Sequence, residues 1–282
     1  MRVSFKTVPQ DSDWGSMRDM WLAADDIDVY DAGWNFDHFY PILQDDRTGP
    51  CFEGWTMLAA LATITRRIRL GVMVTGNPYR HPALLANIAA SVDVISDGRL
   101  ELGIGAGWNE EESTAYGIDL PPLRERFDRL EEACEVIDLL LTKETASFRG
   151  RYYQLTDARC EPKPVQKPRP PILIGGGGEK RTLRIAARWA DQWNAPGASP
   201  EVLAHKIEVL HRHCADVGRD PAQIEVSVQV RSGADAAQVA ADASALVDAG
   251  AQHIIVGFRA PFDPARLEPI ARALQDALPL SR

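Results

Sequence analysis

The feature that most constrains the fold is an alternation of strand and helix patterns that repeats eight times along the chain. Strand-like segments lie near residues 3, 34, 70, 102, 173, 192, 226 and 254, and a helix pattern follows each of them. Eight such units predict an α/β fold, a closed (β/α)8 barrel of the TIM type. An open, doubly wound sheet is the alternative architecture for the same alternation.

The fourth unit shows its strand, turn and helix most clearly. Residues Arg99–Gly105 alternate apolar and other side chains with the period of two that is typical of a strand. Gly105 and Gly107 follow, where glycine allows a sharp turn or the close approach of a ligand. Apolar residues then recur at spacings of three and four over Arg124–Leu141, which predicts a helix.

The segment Thr145–Pro170 departs from this alternation. Phe148–Tyr153 indicates a hairpin, and the prolines that follow exclude a helix. We expect an insertion lying over the barrel after the fourth helix, about residues 145–170, rather than a second domain. The prediction is therefore one domain over residues 1–282.

Composition restricts the partners of the chain. Its formal net charge of −9 argues against nucleic acid or an anionic membrane as the main partner, because both attract basic surfaces. The start of the chain does not resemble a signal peptide, and no stretch approaches the roughly 20 apolar residues of a spanning helix. We expect a cytoplasmic protein. The four cysteines are widely spaced, which is typical of core residues rather than disulfides or metal ligands.

Unusual residues collect where the predicted strands end, which is where barrels of this type place their active sites. Together they predict one composite pocket, and they are Asp37, His38, Thr75, Gly76, Gly105, Ala106, Gly107, Trp108, Asn109, Gly175, Gly176, Gly177, Gly178, Trp193 and Asn194.

The glycine run Gly175–Gly178 follows a buried strand and precedes a helix predicted over Glu179–Ala190. Free N–H groups at a helix start and a main chain without side chains suit a phosphate. Lys180 or Arg181 could add positive charge. A tight turn without a ligand is the alternative interpretation.

The other candidate residues are less specific. His38 at a strand end could act as an acid or base near neutral pH, although a lone histidine is usually structural. Glu110–Glu112 is more typical of the acidic first turn of a helix than of a catalytic carboxylate pair. Trp108 is expected in the pocket wall or the core. Glycines 103, 105 and 107 lack the spacing of a dinucleotide fingerprint, and we predict no metal site.

Four segments, in chain order, resemble the bacterial luciferase-like flavin monooxygenase superfamily, and more closely its coenzyme F420-dependent branch. They are Trp34–Phe39, Leu70–Gly76, Arg99–Trp108 and Pro171–Gly178. The resemblance implies a TIM-like barrel with an insertion that binds a deazaflavin or a flavin at the carboxyl ends of its strands. It also implies a small-molecule substrate and a homo-oligomer, such as a dimer.

The resemblance implies roles for single residues. Asp37 and His38 match the Asp-His pair that lies near the redox ring, and His38 would donate or accept a proton. Met73 and Val74 match a strand end where relatives carry a bulge with a non-prolyl cis peptide. The ring and ribityl chain would contact Thr75, Gly76, Gly105, Ala106 and Gly107, and the phosphate would bind to Gly176, Gly177, Gly178 and Glu179.

One position departs from the pattern of the branch. Its sugar-phosphate dehydrogenases carry a glutamate where this chain has Trp108, and Glu110 is out of register, which weakens any proposal of sugar-phosphate oxidation. The sequence therefore predicts an F420-dependent oxidoreductase that transfers a hydride to or from a small organic substrate. The alternatives are an FMN-dependent monooxygenase and a non-catalytic flavin-binding protein of the same fold. A metal-dependent barrel hydrolase lacks a ligand cluster.

Overall fold

The computed structural model describes residues 1–233 and 235–280 and contains a closed ring of eight parallel strands. Each strand pairs with its two neighbours in chain order, and the last strand pairs with the first. The strands are β1 (Arg2–Thr7), β2 (Ala32–Asn35), β3 (Arg69–Val72), β4 (Leu100–Gly105), β5 (Ile172–Gly175), β6 (Gln192–Ala195), β7 (Glu225–Arg231) and β8 (His253–Phe258). The predicted barrel is confirmed, and the open sheet is excluded.

Helices cover the outside of the ring. They are α1 (Trp14–Asp25), α2 (Gly54–Ile64), α3 (Pro82–Ile95), α4 (Glu110–Ala115), α5 (Leu123–Thr142), α6 (Thr182–Trp189), α7 (Pro200–Val217), α8 (Ala236–Asp248) and α9 (Leu267–Ala277). Proline at the first position of α3 and of α7 suits a helix start, because its missing N–H has no partner there in any case.

The predicted helix after the glycine run begins three residues later than the sequence suggested. Residues Glu179 to Arg181 form a turn, and α6 starts only at Thr182. Arg181 precedes the helix with a non-helical main chain and forms an ion pair with Asp128 on α5. The glycine run therefore continues into a turn that is exposed in part, rather than directly into a helix.

The alternation of side chains along the strands divides the apolar core into two parts. Outward-facing residues pack against the helices, and a smaller cluster fills the ring. The inner cluster contains Ala32, Trp34, Met73, Leu173 and Ile255. These side chains close the ring below the carboxyl ends of the strands, so that any cavity must lie above them.

A buried ionic network stabilises the amino end of the ring. Glu101 on β4 accepts hydrogen bonds from Arg2 at 2.6 Å, from Arg69 at 2.5 Å and from Gln192 at 2.6 Å. Burial by itself would raise the pKa of Glu101, but the two guanidinium groups outweigh it and lower the pKa to about 2.

The predicted hairpin exists within the insertion. Its strands Ala146–Arg149 and Gln154–Ala158 are antiparallel, and Glu132 on α5 accepts main-chain N–H bonds from the turn between them. Gln166 further along bonds to Asp93 on α3. Tyr153 of the hairpin accepts a hydrogen bond at 3.1 Å from Asn77, which follows the third strand. No residue of the segment lines the cavity described below.

Candidate active site

A cavity of about 530 Å³ opens at the carboxyl ends of the strands. All eight strands, or the loops that directly follow them, contribute to its wall. The lining residues used below are Lys6, Asp37, His38, Met73, Val74, Gly76, Tyr79, Gly107, Trp108, Gly175, Gly176, Asn194, Gln229, Arg231, Gly257 and Arg259. Eight of the strand-end residues singled out in the sequence line this space, and they are Asp37, His38, Gly76, Gly107, Trp108, Gly175, Gly176 and Asn194. Thr75, Gly105, Ala106, Asn109, Gly177, Gly178 and Trp193 do not belong to the lining.

His38 lies in this wall with its imidazole fixed by a glutamate from a distant part of the chain. Its Nδ1 atom is 2.7 Å from Oε2 of Glu112, and only 9% of the residue is exposed. Its ring packs edge-on against Phe36 and Trp108. Nε2 of His38 has no partner among the described residues, which leaves that nitrogen available to the cavity.

Glu112 is fully buried and accepts three hydrogen bonds. Besides His38, Tyr79 Oη donates to Oε2 at 2.7 Å, and the Phe39 N–H donates to Oε1 at 2.6 Å. Burial alone would raise the pKa of Glu112, but these donors outweigh burial and lower it. An ionised carboxylate only accepts hydrogen bonds, so Nδ1 of His38 must carry its hydrogen.

The carboxylate of Asp37 is engaged by an arginine. Arg80 donates to both oxygens of Asp37, at 2.5 and 3.0 Å, and it also contacts Glu53. Burial raises the pKa of Asp37, and the guanidinium opposes that shift. Asp37 thus lies in the cavity wall, but Arg80 already pairs with its charge.

The peptide bond between Met73 and Val74 is cis, and both residues line the cavity. They interrupt the third strand, which resumes at Thr75–Gly76 beside β4. The side chain of Val74 projects into the ring against glycines of two neighbouring strands. A Cβ atom on Gly105 would lie 2.9 Å from Val74, and one on Gly175 would lie 2.8 Å away. These two glycines make room for Val74.

The remaining residues at the ends of the third and fourth strands form two groups, one in the cavity lining and one behind it. Gly76 and Gly107 line the cavity, and Gly107 has a positive φ of 80° that favours glycine. Thr75 is buried and accepts a hydrogen bond from Trp55 at 2.7 Å. Ala106 packs in part against the outer core. Thr75, Gly105 and Ala106 therefore lie behind the cavity lining rather than in it.

The glycine run forms one edge of the cavity. Gly176 has a φ of 130°, and its carbonyl accepts a hydrogen bond from the buried Trp193 at 2.8 Å. The main-chain N–H groups of Gly177, Gly178 and Glu179 donate to no acceptor in the described part of the chain. Unused N–H groups in a loop without side chains form a suitable binding site for an anion.

Lys206 on α7 places a positive charge directly on this loop. Lys206 Nζ donates to the Gly177 carbonyl and lies 3.6 Å from Glu179. Arg181 instead pairs with Asp128, and Lys180 is exposed. The contribution of Lys180 or Arg181 to phosphate binding stays a prediction, and an acidic residue on α5 already engages the guanidinium of Arg181.

The sequence analysis did not identify Tyr79, Glu112 and Lys206, which complete the site. Glu110–Glu112 does form the first turn of a helix, as predicted, but its third residue turns inward to His38. Asn109 caps that helix by accepting a hydrogen bond from the Glu112 N–H, but this cap does not indicate where the Glu112 carboxylate lies. Tyr79 and Lys206 carry no signal in the sequence either, since only the folded chain brings them to the site.

Trp108 forms part of the cavity wall, as expected. It remains 56% exposed at the rim, and its ring centroid lies 5.7 Å from that of His38. No group of three metal-ligating side chains occurs among residues 1–233 and 235–280. Over the same ranges, no helix combines the length and the apolar character needed to cross a membrane.

Comparisons with known proteins agree with this geometry. The family model described as luciferase-like monooxygenase matches residues 7–278. An uncharacterized protein of Mycobacterium tuberculosis, Rv0953c, is 33% identical over 189 residues, which cover 67% of this chain and 65% of that protein. The match thus spans a little less than two thirds of that relative.

Two further proteins resemble the chain over most of its length. The F420-dependent glucose-6-phosphate dehydrogenase of Microbacterium testaceum is 30% identical over 234 residues, covering 82% of this chain and 68% of the relative. The solved structure of an F420-dependent secondary alcohol dehydrogenase with an F420-acetone adduct superposes with a TM-score of 0.85. It covers 99% of this chain and 98% of the other at 17% identity, which establishes a shared fold.

Proposed function

Because the chain belongs to the luciferase-like monooxygenase family, we propose that it is an F420-dependent oxidoreductase acting on a small organic substrate. The observation that carries this proposal is the position of His38. A buried glutamate fixes its ring in the wall of a cavity whose other edge is a loop suited to a phosphate. The F420-dependent dehydrogenase among the relatives supports the choice of cofactor.

The glycine loop fits the phosphate of such a cofactor. Gly176, Gly177 and Gly178 present no side chain, and the N–H groups from Gly177 to Glu179 are unused by the described chain. Lys206 supplies a cation at the same loop. These residues would bind the phosphate.

The cavity wall between β2 and β4 would face the redox ring. Met73, Val74, Gly76 and Gly107 line that wall and carry no charge. Asp37 lies in the lining with its charge paired to Arg80, whereas Thr75, Gly105 and Ala106 would support the lining from behind.

The proton chemistry follows from the pairing of His38 with Glu112. F420, when bound, accepts or gives up a hydride, which is two electrons and one proton. If the substrate is an alcohol, Nε2 of His38 would take the hydroxyl proton as the carbon loses its hydride. In the reverse direction the imidazolium would return that proton to the carbonyl oxygen. Glu112 would stabilise the imidazolium, since it stays ionised beside it.

Titration of the purified protein with F420, and separately with FMN, tests the proposal through the change in cofactor fluorescence. We expect micromolar binding of F420 and weaker binding of FMN. Preference for FMN with oxygen consumption would instead support a monooxygenase. Binding of F420 without turnover of any alcohol or carbonyl compound would support a non-catalytic role, and binding of neither cofactor would overturn the proposal.

A further inference from the structure

The wall formed by β7, β8 and β1 differs from the rest of the cavity because it is basic. Lys6 on β1, Arg231 at the end of β7 and Arg259 just after β8 all line the cavity. The acid in the lining, Asp37, is already paired with Arg80. In a chain with a net charge of −9, this wall is a local concentration of positive charge.

The strand register places two of these cations at the same level. Lys6 pairs with Gly257 on β8, and Gly257 pairs in turn with Arg231 on β7. Neighbouring strands lie about 4.8 Å apart, so the main chains of Lys6 and Arg231 are roughly 10 Å apart with a glycine between them. The missing side chain of Gly257 leaves room between the two, which is the space that a small oxyanion requires.

None of the three cations has an acidic partner. Lys6 Nζ donates to Oε1 of Gln229 at 3.2 Å, and that amide is in turn bonded to Asn194 at 3.1 Å. The guanidinium groups of Arg231 and Arg259, both exposed residues, form no hydrogen bond or ion pair with any described residue. Burial lowers the pKa of Lys6 to about 8. Lys6 is half-buried in the cavity wall, where an ammonium without a counter-charge is unfavourable, and a bound anion would relieve that cost.

The basic wall is separate from the wall assigned to the cofactor. In the circular order of strands, β5, which carries the glycine loop, lies four places from β1. His38 and the cis peptide follow β2 and β3. A ligand at Lys6 would therefore lie across the cavity from the phosphate loop and beside β2, which leads to His38, whereas Arg231 is two strands from that loop.

We propose that Lys6, Arg231 and Arg259 bind an anionic group of the substrate, a carboxylate or a phosphate, above Gly257. The inference rests on the proposed function, because only an enzyme that binds F420 on the other wall would bind its substrate here. It narrows the small organic substrate to an organic acid or a phosphate ester.

Calorimetric titration with simple probes tests the subsite without a reaction. Butyrate and methyl phosphate are the anionic probes, and butyramide is the neutral counterpart of butyrate. Each is titrated into the protein alone and into the protein saturated with F420. We expect at least one anion to bind in both states and the amide not to bind, and the tighter anion identifies the substrate class.

Variants locate the binding. Lys6→Met and Arg231→Met should each weaken the binding of the anion at least tenfold. Lys6→Arg should retain most of the affinity because it keeps the charge. Arg212→Met, which removes an exposed cation on α7, should change nothing. Thermal unfolding of each variant checks that it is folded.

The contrary outcomes are distinct. Unchanged affinity in folded Lys6→Met and Arg231→Met, or no binding of either anion, would overturn the subsite. Loss of F420 affinity in the same variants, together with displacement of the anion by F420, would assign the cations to the cofactor and also overturn it. Anion binding in a protein that binds no F420 would leave the subsite standing while the proposed function failed.

Discussion

The Nδ1 atom of His38 lies 2.7 Å from Oε2 of Glu112, although 74 positions separate the two residues in the chain. Tyr79 and the Phe39 N–H donate to the same carboxylate, so its acceptor sites are directed at neighbouring groups rather than at the cavity. Glu112 therefore determines which imidazole nitrogen can exchange a proton with a substrate.

Replacing Glu112 with glutamine should lower turnover without a comparable loss of cofactor affinity. The amide cannot stabilise an imidazolium by charge, so we expect kcat to fall at least about tenfold. The dependence of kcat on pH should also shift, which a loss of packing alone would not produce. Glu111→Gln, at the exposed neighbouring position, is the matched control. Equal effects of the two substitutions would contradict an orienting role for Glu112.

Replacing His38 with alanine should remove the proton donor or acceptor itself. We expect kcat to fall by roughly 10²–10⁴-fold, the usual contribution of a positioned acid or base. F420 affinity, measured by fluorescence titration, should stay nearly constant because the phosphate loop is intact. Full activity in the folded variant would exclude His38 from the mechanism.

Lys206→Met should weaken the binding of F420, since Lys206 provides the cation at the glycine loop. We expect a loss of about tenfold in affinity, equivalent to roughly 1.4 kcal/mol, that diminishes at high salt. Arg212→Met on the same helix controls for a general change of surface charge. An unchanged dissociation constant for Lys206→Met would place the phosphate elsewhere.

The contact between Val74 and Gly175 predicts a pair of coupled substitutions. Gly175→Ala adds a Cβ atom 2.8 Å from Val74, and we expect it to lower the free energy of unfolding by about 1–3 kcal/mol. Combining it with Val74→Ala should recover part of that loss. Gly233→Ala, in open space, should have little effect. Urea unfolding measures these three variants together with Val74→Ala alone, and strictly additive effects would show that the two residues do not interact.

The network around Glu101 predicts how stability depends on pH. Its folded-state pKa of about 2 is below the ordinary value of 4.5, so its contribution is complete above about pH 4.5 and is lost as the pH falls toward 2. Glu101→Gln should lower the free energy of unfolding by about 3 kcal/mol at pH 7, and by less as the pH falls below 4.5. Denaturant unfolding between pH 3 and 7 measures this difference, with Glu144→Gln as an exposed control. A constant difference across that range would refute the assignment.

Most of the fold could be predicted from local patterns. The alternation of strand and helix located all eight barrel strands, because a buried parallel strand and an amphipathic helix each leave a clear periodicity. The course of residues 145–170 could not be predicted in the same way. Hydrogen bonds to Glu132 and Asp93 determine that course, and neither partner is near in sequence.

The site was predicted where its residues follow strands and missed where they come from helices. His38 and Gly176 follow strands, so the barrel rule placed them at one cavity. Lys206 lies on the middle of a long helix, where a lysine is ordinarily a solvated surface residue. Glu112 looked like part of an acidic first turn, and only the buried position of its side chain distinguishes it from Glu110 and Glu111.

The ring order of the strands has a consequence for how this cavity can diversify. The loop at Gly176 and the pair His38–Glu112 come from β2 to β5, whereas the cations come from β7, β8 and β1. Substitutions at Arg231, Gly257 and Arg259 change the wall formed by β7 and β8 and leave the residues of β2 to β5 unchanged. If the two proposals hold, substitutions on the basic wall would change the choice of substrate without altering the residues proposed to bind the cofactor.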